Sequence, residues 1–158
     1  MLTSSVVVIP PEPVRRRIDE VRRRYDKAWV DVVLGHVSLI RPLKRLISPK
    51  ETEHIRAAMS NVPAFTAATS HMEALSTGDG LYLVVGVEPE EPFIEMHRHL
   101  ARILGRETAF LAFRPHFTVG SFVNSEALAR AYEEVKKDFP VVDFYTDAVY
   151  EMVVDTEA

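Results

Sequence analysis

Two short stretches alternate in the same way, and they constrain the fold more than any other feature of the chain. In Gly35-His36-Val37-Ser38-Leu39-Ile40, polar and apolar residues take turns. Side chains in a strand point to opposite faces in succession, so His36 and Ser38 share one face and Val37 and Leu39 the other. The stretch Arg114-Pro115-His116-Phe117-Thr118-Val119-Gly120-Ser121-Phe122 does the same, with His116 and Thr118 against Phe117 and Val119. The two histidines lie 116 − 36 = 80 positions apart. Each strand can bury its apolar face in a core and present an imidazole beside a hydroxyl on the opposite surface.

The rest of the chain reads as elements built around these two strands. Ser4 to Ile9 is an apolar strand, stopped by Pro10, Pro11 and Pro13. Val14, Ile18, Val21 and Tyr25 then recur at helical spacing. The other face of that helix carries Arg15, Arg16, Arg17, Asp19, Glu20, Arg22, Arg23 and Arg24. The i,i+4 pairs Arg15–Asp19, Arg16–Glu20, Asp19–Arg23 and Glu20–Arg24 describe a solvated face. Asp31 to Leu39 is the second strand region, closed by Arg41-Pro42.

Ser48-Pro49-Lys50-Glu51 opens a helix with a capping box, its buried stripe being Ile55, Met59 and Val62. Pro63 breaks it. Ala64 to Leu75 and Leu81 to Val87 form a hairpin about the turn Ser76-Thr77-Gly78-Asp79-Gly80. A helix with the stripe Phe93, Met96, His97, Leu100, Ile103 and Leu104 ends at Gly105. After the second histidine strand, a helix runs from about Ser125 to Phe139, stopped by Pro140. Val141 to Val154 forms one final strand or two short ones.

The order β-α-β-α-β-β-α-β-α-β, with the strand-helix unit occurring twice, predicts an α+β fold. Two pseudo-repeated β-α-β lobes share antiparallel-rich sheets around a central cleft, with helices outside. No segment reads as a linker, so residues 1–158 are expected to form a single bilobal domain.

Composition sets limits on function. With 47% hydrophobic and 27% charged residues the chain suits a soluble globular domain, and no apolar run is long enough for a bilayer. There is no cysteine, so thiolate and disulfide chemistry are excluded. No secretory signal is apparent, and a cytoplasmic location and a monomer are expected. The formal net charge of −4 argues against bulk electrostatic binding of nucleic acid.

The paired residues suggest a chemistry. Histidine can give and accept a proton near neutral pH. Two histidines facing one phosphodiester can divide the work, the neutral one taking a proton from the attacking group and the protonated one serving the leaving oxygen. The hydroxyls of Ser38 and Thr118 can donate to the non-bridging oxygens. No cofactor is needed. No set of Cys, His, Asp or Glu has metal-ligand spacing, and no metal is expected.

The motifs His36-Val37-Ser38-Leu39 and His116-Phe117-Thr118-Val119 resemble the twin His-x-Thr/Ser-x motifs of the two-histidine (2H) phosphoesterase superfamily. Pro115 before the second histidine and Arg41-Pro42 after the first motif resemble its 2′-5′ RNA ligase-like and cyclic phosphodiesterase branch. The resemblance covers nearly the whole chain in element order. It implies a bilobal α+β fold, a metal-independent site in the central cleft, and chemistry on 2′,3′-cyclic or 2′-5′ phosphodiesters. The implied catalytic residues are His36, Ser38, His116 and Thr118. The implied partner is a small nucleotide or an RNA end, with no membrane involved. Ser38 stands where threonine is common, and Ser121 where many members place a basic residue.

Arg41, at the mouth of the first motif strand, and Arg114, with the parity of His116, are candidate phosphate ligands. Trp29, Tyr82 and Tyr145 could stack on a base. His97 reads as a partly buried helix residue, and His54 and His71 as structural or exposed. The competing functions are a non-catalytic nucleotide- or RNA-binding module using the same cleft, and a plain interaction domain in which the motifs are accidental.

Overall fold

A computed structural model describes residues 1–105, 112–139 and 141–157. The elements are β1 (Leu2–Val8), α1 (Val14–Tyr25), β2 (Val37–Leu43), α2 (Pro49–Met59), β3 (Phe65–Thr77), β4 (Gly80–Glu88), α3 (Glu91–Leu104), β5 (His116–Phe122), α4 (Ser125–Val135), β6 (Asp143–Thr146) and β7 (Tyr150–Asp155). The strands form a seven-stranded sheet in the order β6-β3-β4-β5-β2-β1-β7. Every neighbouring pair is antiparallel. The expected α+β fold is present, as an open sheet whose middle is the β5–β2 seam.

That seam is short. β2 and β5 pair at Val37↔Phe117, whereas β4 and β5 pair from Gly86↔His116 to Leu81↔Phe122. Four strands therefore stand on one side of the seam and three on the other. α1 and α4 pack on the β5 side, α3 packs on β2, and α2 stacks on α3.

The apolar residues of both motif strands anchor the core. Val37, Leu39, Phe117 and Val119 are all 1% exposed or less. Burial of each such side chain is worth about 1.5–3 kcal/mol. Phe93, Leu100, Ile18 and Leu83 complete the same cluster. Phe117 also meets Phe144 edge-on at 5.7 Å.

Several boundaries differ from those expected. The second strand starts at Val37, not at Asp31. Residues 27–33 instead continue from α1 as turns, with the Asp26 carbonyl accepting from the N–H groups of Trp29 and Val30. Val32 and Leu34 are accordingly 59% and 45% exposed, so their apolar character reflects no strand. Nor does Pro42 end β2, which continues to Leu43. The register on β1 steps from Val6↔Ile40 to Ser4↔Leu43, a bulge that absorbs a residue with no N–H to donate.

The capping box of α2 forms as expected, Ser48 Oγ accepting from the Glu51 N–H and Glu51 accepting from the Ser48 N–H. Arg45 also grips the Glu51 carboxylate and helps hold it at about 2. The α2 stripe packs against the core without full burial. The hairpin turn narrows to Gly78-Asp79, because Thr77 and Gly80 already pair. α4 ends at Val135, short of Phe139, and Pro140 lies outside the described residues. The final segment forms two strands, β6 and β7. No helix among the described residues is long and apolar enough to cross a membrane.

Candidate active site

The register of the seam arranges the two motifs. Antiparallel pairing keeps the sum of partner numbers constant, so Val37↔Phe117 sets His36 across from Thr118 and Ser38 across from His116. Directly opposed residues have Cβ atoms about 4.5–5.5 Å apart, and diagonal neighbours stand about 7–8 Å apart. The imidazoles occupy one diagonal of this four-residue square and the hydroxyls the other. Residues 34–40 and 114–120 share one burial pattern position for position, with each histidine and each hydroxyl half-buried between buried neighbours.

The imidazoles are held alike. His36 Nδ1 lies 2.6 Å from the Leu34 carbonyl oxygen, and His116 Nδ1 lies 2.8 Å from that of Arg114. A carbonyl can only accept, so each Nδ1–H donates, and each Nε2 is left for the cavity. Burial pushes both imidazoles below the ordinary histidine value. The nearby Arg22 charge adds to this at His36 and that of Arg41 at His116. Asp19 and Asp26 oppose it on His36, and Glu73 on His116.

All four motif residues line one cavity of about 360 Å³. Arg22, Asp26, Trp29, Tyr82 and Ser121 also line it, with Thr3, Ser5, Met152 and Val154 of β1 and β7. A second cavity, of about 400 Å³, shares Ser38, Pro42, Tyr82, His116 and Thr118 with the first. Arg41 and Arg114 line this second one. Arg114 pairs there with Glu73 at 3.2 Å and Glu90 at 3.6 Å. Trp29 and Tyr82 thus reach the cleft, whereas Tyr145 lies exposed on the edge strand β6.

The expected solvated face of α1 needs correction at Arg22. Its guanidinium is 3% exposed and bonds Asp19 at 2.7 Å, Asp26 at 3.1 Å and the Val33 carbonyl at 2.8 Å. Asp26 also accepts from Ser121 Oγ of β5, at 3.4 Å. The network ties α1, the turns after it and β5 together beside His36. Arg15 and Arg16 pair with Glu12, and Arg24 with Glu134, in place of the expected i,i+4 ladder. The available signal was an arginine four residues after Ile18, at the border of the apolar stripe, flanked by acids at i−3 and i+4.

His97 is 5% exposed, stacks on Phe113 at 4.2 Å, and bonds the Leu39 carbonyl at 2.7 Å, which suits a buried structural histidine. His71 lies exposed beside Glu73 and Arg114. Among the described residues, no cluster of three or more His, Cys, Asp or Glu could hold a metal ion.

A seven-stranded antiparallel sheet with His-x-hydroxyl strands adjoining at its centre defines the class, a two-histidine phosphoesterase-like α+β protein. The sequence matches the model of the 2′-5′ RNA ligase superfamily over residues 10–157, and the chain belongs to that superfamily. Its fold resembles that of Escherichia coli LigT complexed with NADP+, at TM-score 0.57 and 16% identity, covering 97% of this chain and 94% of that one. LigT complexed with 3′-AMP matches at TM-score 0.56 and 15% identity, covering 95% and 87%. Kluyveromyces marxianus Usb1 matches at TM-score 0.51 and 11% identity, covering 97% and 96%. At these identities the likeness is one of fold. No curated protein sequence matches the chain. Superfamily membership supports a phosphoesterase-type function.

Proposed function

We propose that the chain is a metal-independent phosphodiesterase acting on 2′,3′-cyclic or 2′-5′ phosphodiester bonds of nucleotides or RNA ends. The observation that carries the reading is the square of His36, Thr118, His116 and Ser38, with both Nε2 atoms left for one cavity. One neutral imidazole accepts a proton at Nε2 from water as the water oxygen bonds to phosphorus. The bond from phosphorus to the 2′ or 3′ oxygen breaks, and the other imidazole, protonated, gives its Nε2 proton to that oxygen. Ser38 and Thr118 donate to the non-bridging oxygens, where charge develops. Arg41 and Arg114 stand on the adjoining wall, placed to meet a further phosphate. With a hydroxyl in place of water the same groups join it to a cyclic end, one imidazole taking the hydroxyl proton as its oxygen bonds to phosphorus and the other giving a proton to the departing ring oxygen.

The superfamily match and the LigT complexes with NADP+, ATP and 3′-AMP support a nucleotide substrate. A panel of nucleoside 2′,3′-cyclic phosphates and 2′-5′ dinucleotides, assayed with excess chelator, tests the reading. Turnover of at least one member is expected, at a rate the chelator does not change. Binding without turnover across the panel would favour a non-catalytic nucleotide-binding module, and loss of turnover to the chelator would contradict metal independence.

A further inference from the structure

Arg22 belongs to the wall of the first cavity although its side chain is 3% exposed. A guanidinium carries five N–H donors. Nε gives its one to Asp26 at 3.1 Å, and Nη1 gives its two to Asp19 at 2.7 Å and to the Val33 carbonyl at 2.8 Å. Among the described residues, Nη2 meets no acceptor. Nor is it sealed away, because the sealed side-chain polar atom without a partner among those residues is Thr146 Oγ1. The two Nη2 donors therefore open on the cavity that Arg22 borders.

Asp26 stands beside Arg22 with the opposite capacity. Its carboxylate takes Arg22 Nε on one oxygen and Ser121 Oγ, at a long 3.4 Å, on the other. A carboxylate has about four lone-pair sites, so acceptor capacity remains. Its side chain is 7% exposed and borders the same cavity. Three residues further on, Trp29 reaches that cavity with a ring 46% exposed. The wall thus offers a donor, an acceptor and a flat aromatic face.

The charge balance decides what such a wall can take. Asp19 and Asp26 set two carboxylates against one guanidinium, and in a buried cluster a further negative charge is repelled with little screening. The ligand's phosphate has its partners elsewhere in the cavity, at His36, Ser38, His116 and Thr118. A neutral group with an acceptor next to a donor suits Arg22 and Asp26, and bonds to charged partners are the strong ones. The edge of a nucleobase carries that pair, and its face stacks on an aromatic ring. The volume, about 360 Å³, lies in the range of small-molecule sites.

We propose that Arg22, Asp26 and Trp29 form the nucleobase subsite of this cavity. The base stacks on Trp29, an acceptor on its edge takes a hydrogen bond from Arg22 Nη2, and the neighbouring edge N–H donates to Asp26. The place of the phosphate rests on the phosphodiesterase reading. The substrate class is then a nucleotide read through its base, and not a bare sugar phosphate.

Trp29 is the chain's single tryptophan, so its emission reports the subsite directly. Adenosine 3′-monophosphate should change that emission, and ribose 3-phosphate and inorganic phosphate should not. By calorimetry on the wild type, N6,N6-dimethyladenosine 3′-monophosphate, whose edge has lost both amine donors, should bind on the order of tenfold more weakly. Trp29→Ala should weaken adenosine 3′-monophosphate on the order of tenfold, as for one lost stacking contact, and leave inorganic phosphate unchanged. Trp29→Phe, which keeps a ring, should recover most of that loss. The proposal is overturned if ribose 3-phosphate binds as tightly as the nucleotide, if the dimethylated base binds as tightly as adenine, or if Trp29→Ala leaves nucleotide affinity intact. These are binding measurements and need no turnover. Base-dependent binding without hydrolysis of any diester would strike the phosphodiesterase reading alone, and hydrolysis with no dependence on the base would strike the subsite alone.

Discussion

Replacing Arg22 by methionine should be the most damaging conservative-volume change on α1. Methionine can fill part of the space of the stem but returns none of its three polar contacts. Asp26 and Asp19, whose side chains are 7% and 13% exposed, are left as carboxylates with no counter-charge. The Val33 carbonyl loses its donor as well. Removing one partner of a buried ion pair costs about 3–5 kcal/mol, mainly as the penalty of the stranded charge. For a chain of this length each kcal/mol lowers Tm by about 2–4 °C. Differential scanning calorimetry at neutral pH should therefore find Arg22→Met melting roughly 6–20 °C below the wild type, by the same two relations. Adding Asp26→Asn removes one stranded charge and should recover part of the loss. A Tm within about 2 °C of wild type, well below that range, would show that the network is no buried ion pair, and the account of how the wall beside His36 is held would fail.

Further outcomes follow from the same geometry. A Cβ at Gly35 would lie 2.9 Å from Ile18 Cγ2 and 3.0 Å from Asp19 Oδ1. Gly35→Ala should thus cost about 1–3 kcal/mol as overpacking, readable as a lower urea midpoint at unchanged slope. Acid should weaken the fold through the two site histidines. The unfolded chain protonates them at about 6.5, and the folded chain at lower pH because burial disfavours the charge. Between those values the unfolded state holds more protons. Stability is therefore full above about 6.5 and declines as pH falls through the folded values. A His36→Gln/His116→Gln variant should show a flatter Tm-against-pH curve, and an equal slope would contradict this. Arg22, Asp19 and Asp26 face His36, and Arg41, Arg114 and Glu73 face His116. With both imidazoles shifted down, kcat/KM should follow a bell centred below about 6.5, its limbs belonging to the pair.

The motif strands were legible because both constraints on them act locally. Alternation at Val37, Leu39, Phe117 and Val119 sorts core from cleft residue by residue, and the structure places those four in the core. Helix α2 was legible for the same reason, since Ser48, Pro49 and Glu51 settle its start within one turn. The misread segments depend on partners distant in sequence. Val30, Val32 and Val33 suggest a strand, yet the Asp26 and Trp29 carbonyls collect this stretch into turns, and Arg22 secures the Val33 carbonyl. Pro42 suggests a strand end, and only the step in register against β1 keeps it inside. The hydroxyl-lined wall from β1 and β7 joins residues about 150 positions apart, Thr3 with Val154 and Ser5 with Met152, and no local pattern announces it.

The central claim is that His36 and His116 act as one acid–base pair on a phosphodiester. Its most direct test is the rate of opening of a nucleoside 2′,3′-cyclic phosphate, with chelator present, by His36→Ala, His116→Ala and the double variant. Each single change should lower kcat/KM by roughly 10²–10⁴, the usual contribution of a general acid or base. The double variant should be little worse than either, because one loss already disables the relay. A single variant that kept near-full activity, with its fold intact by circular dichroism, would contradict the account.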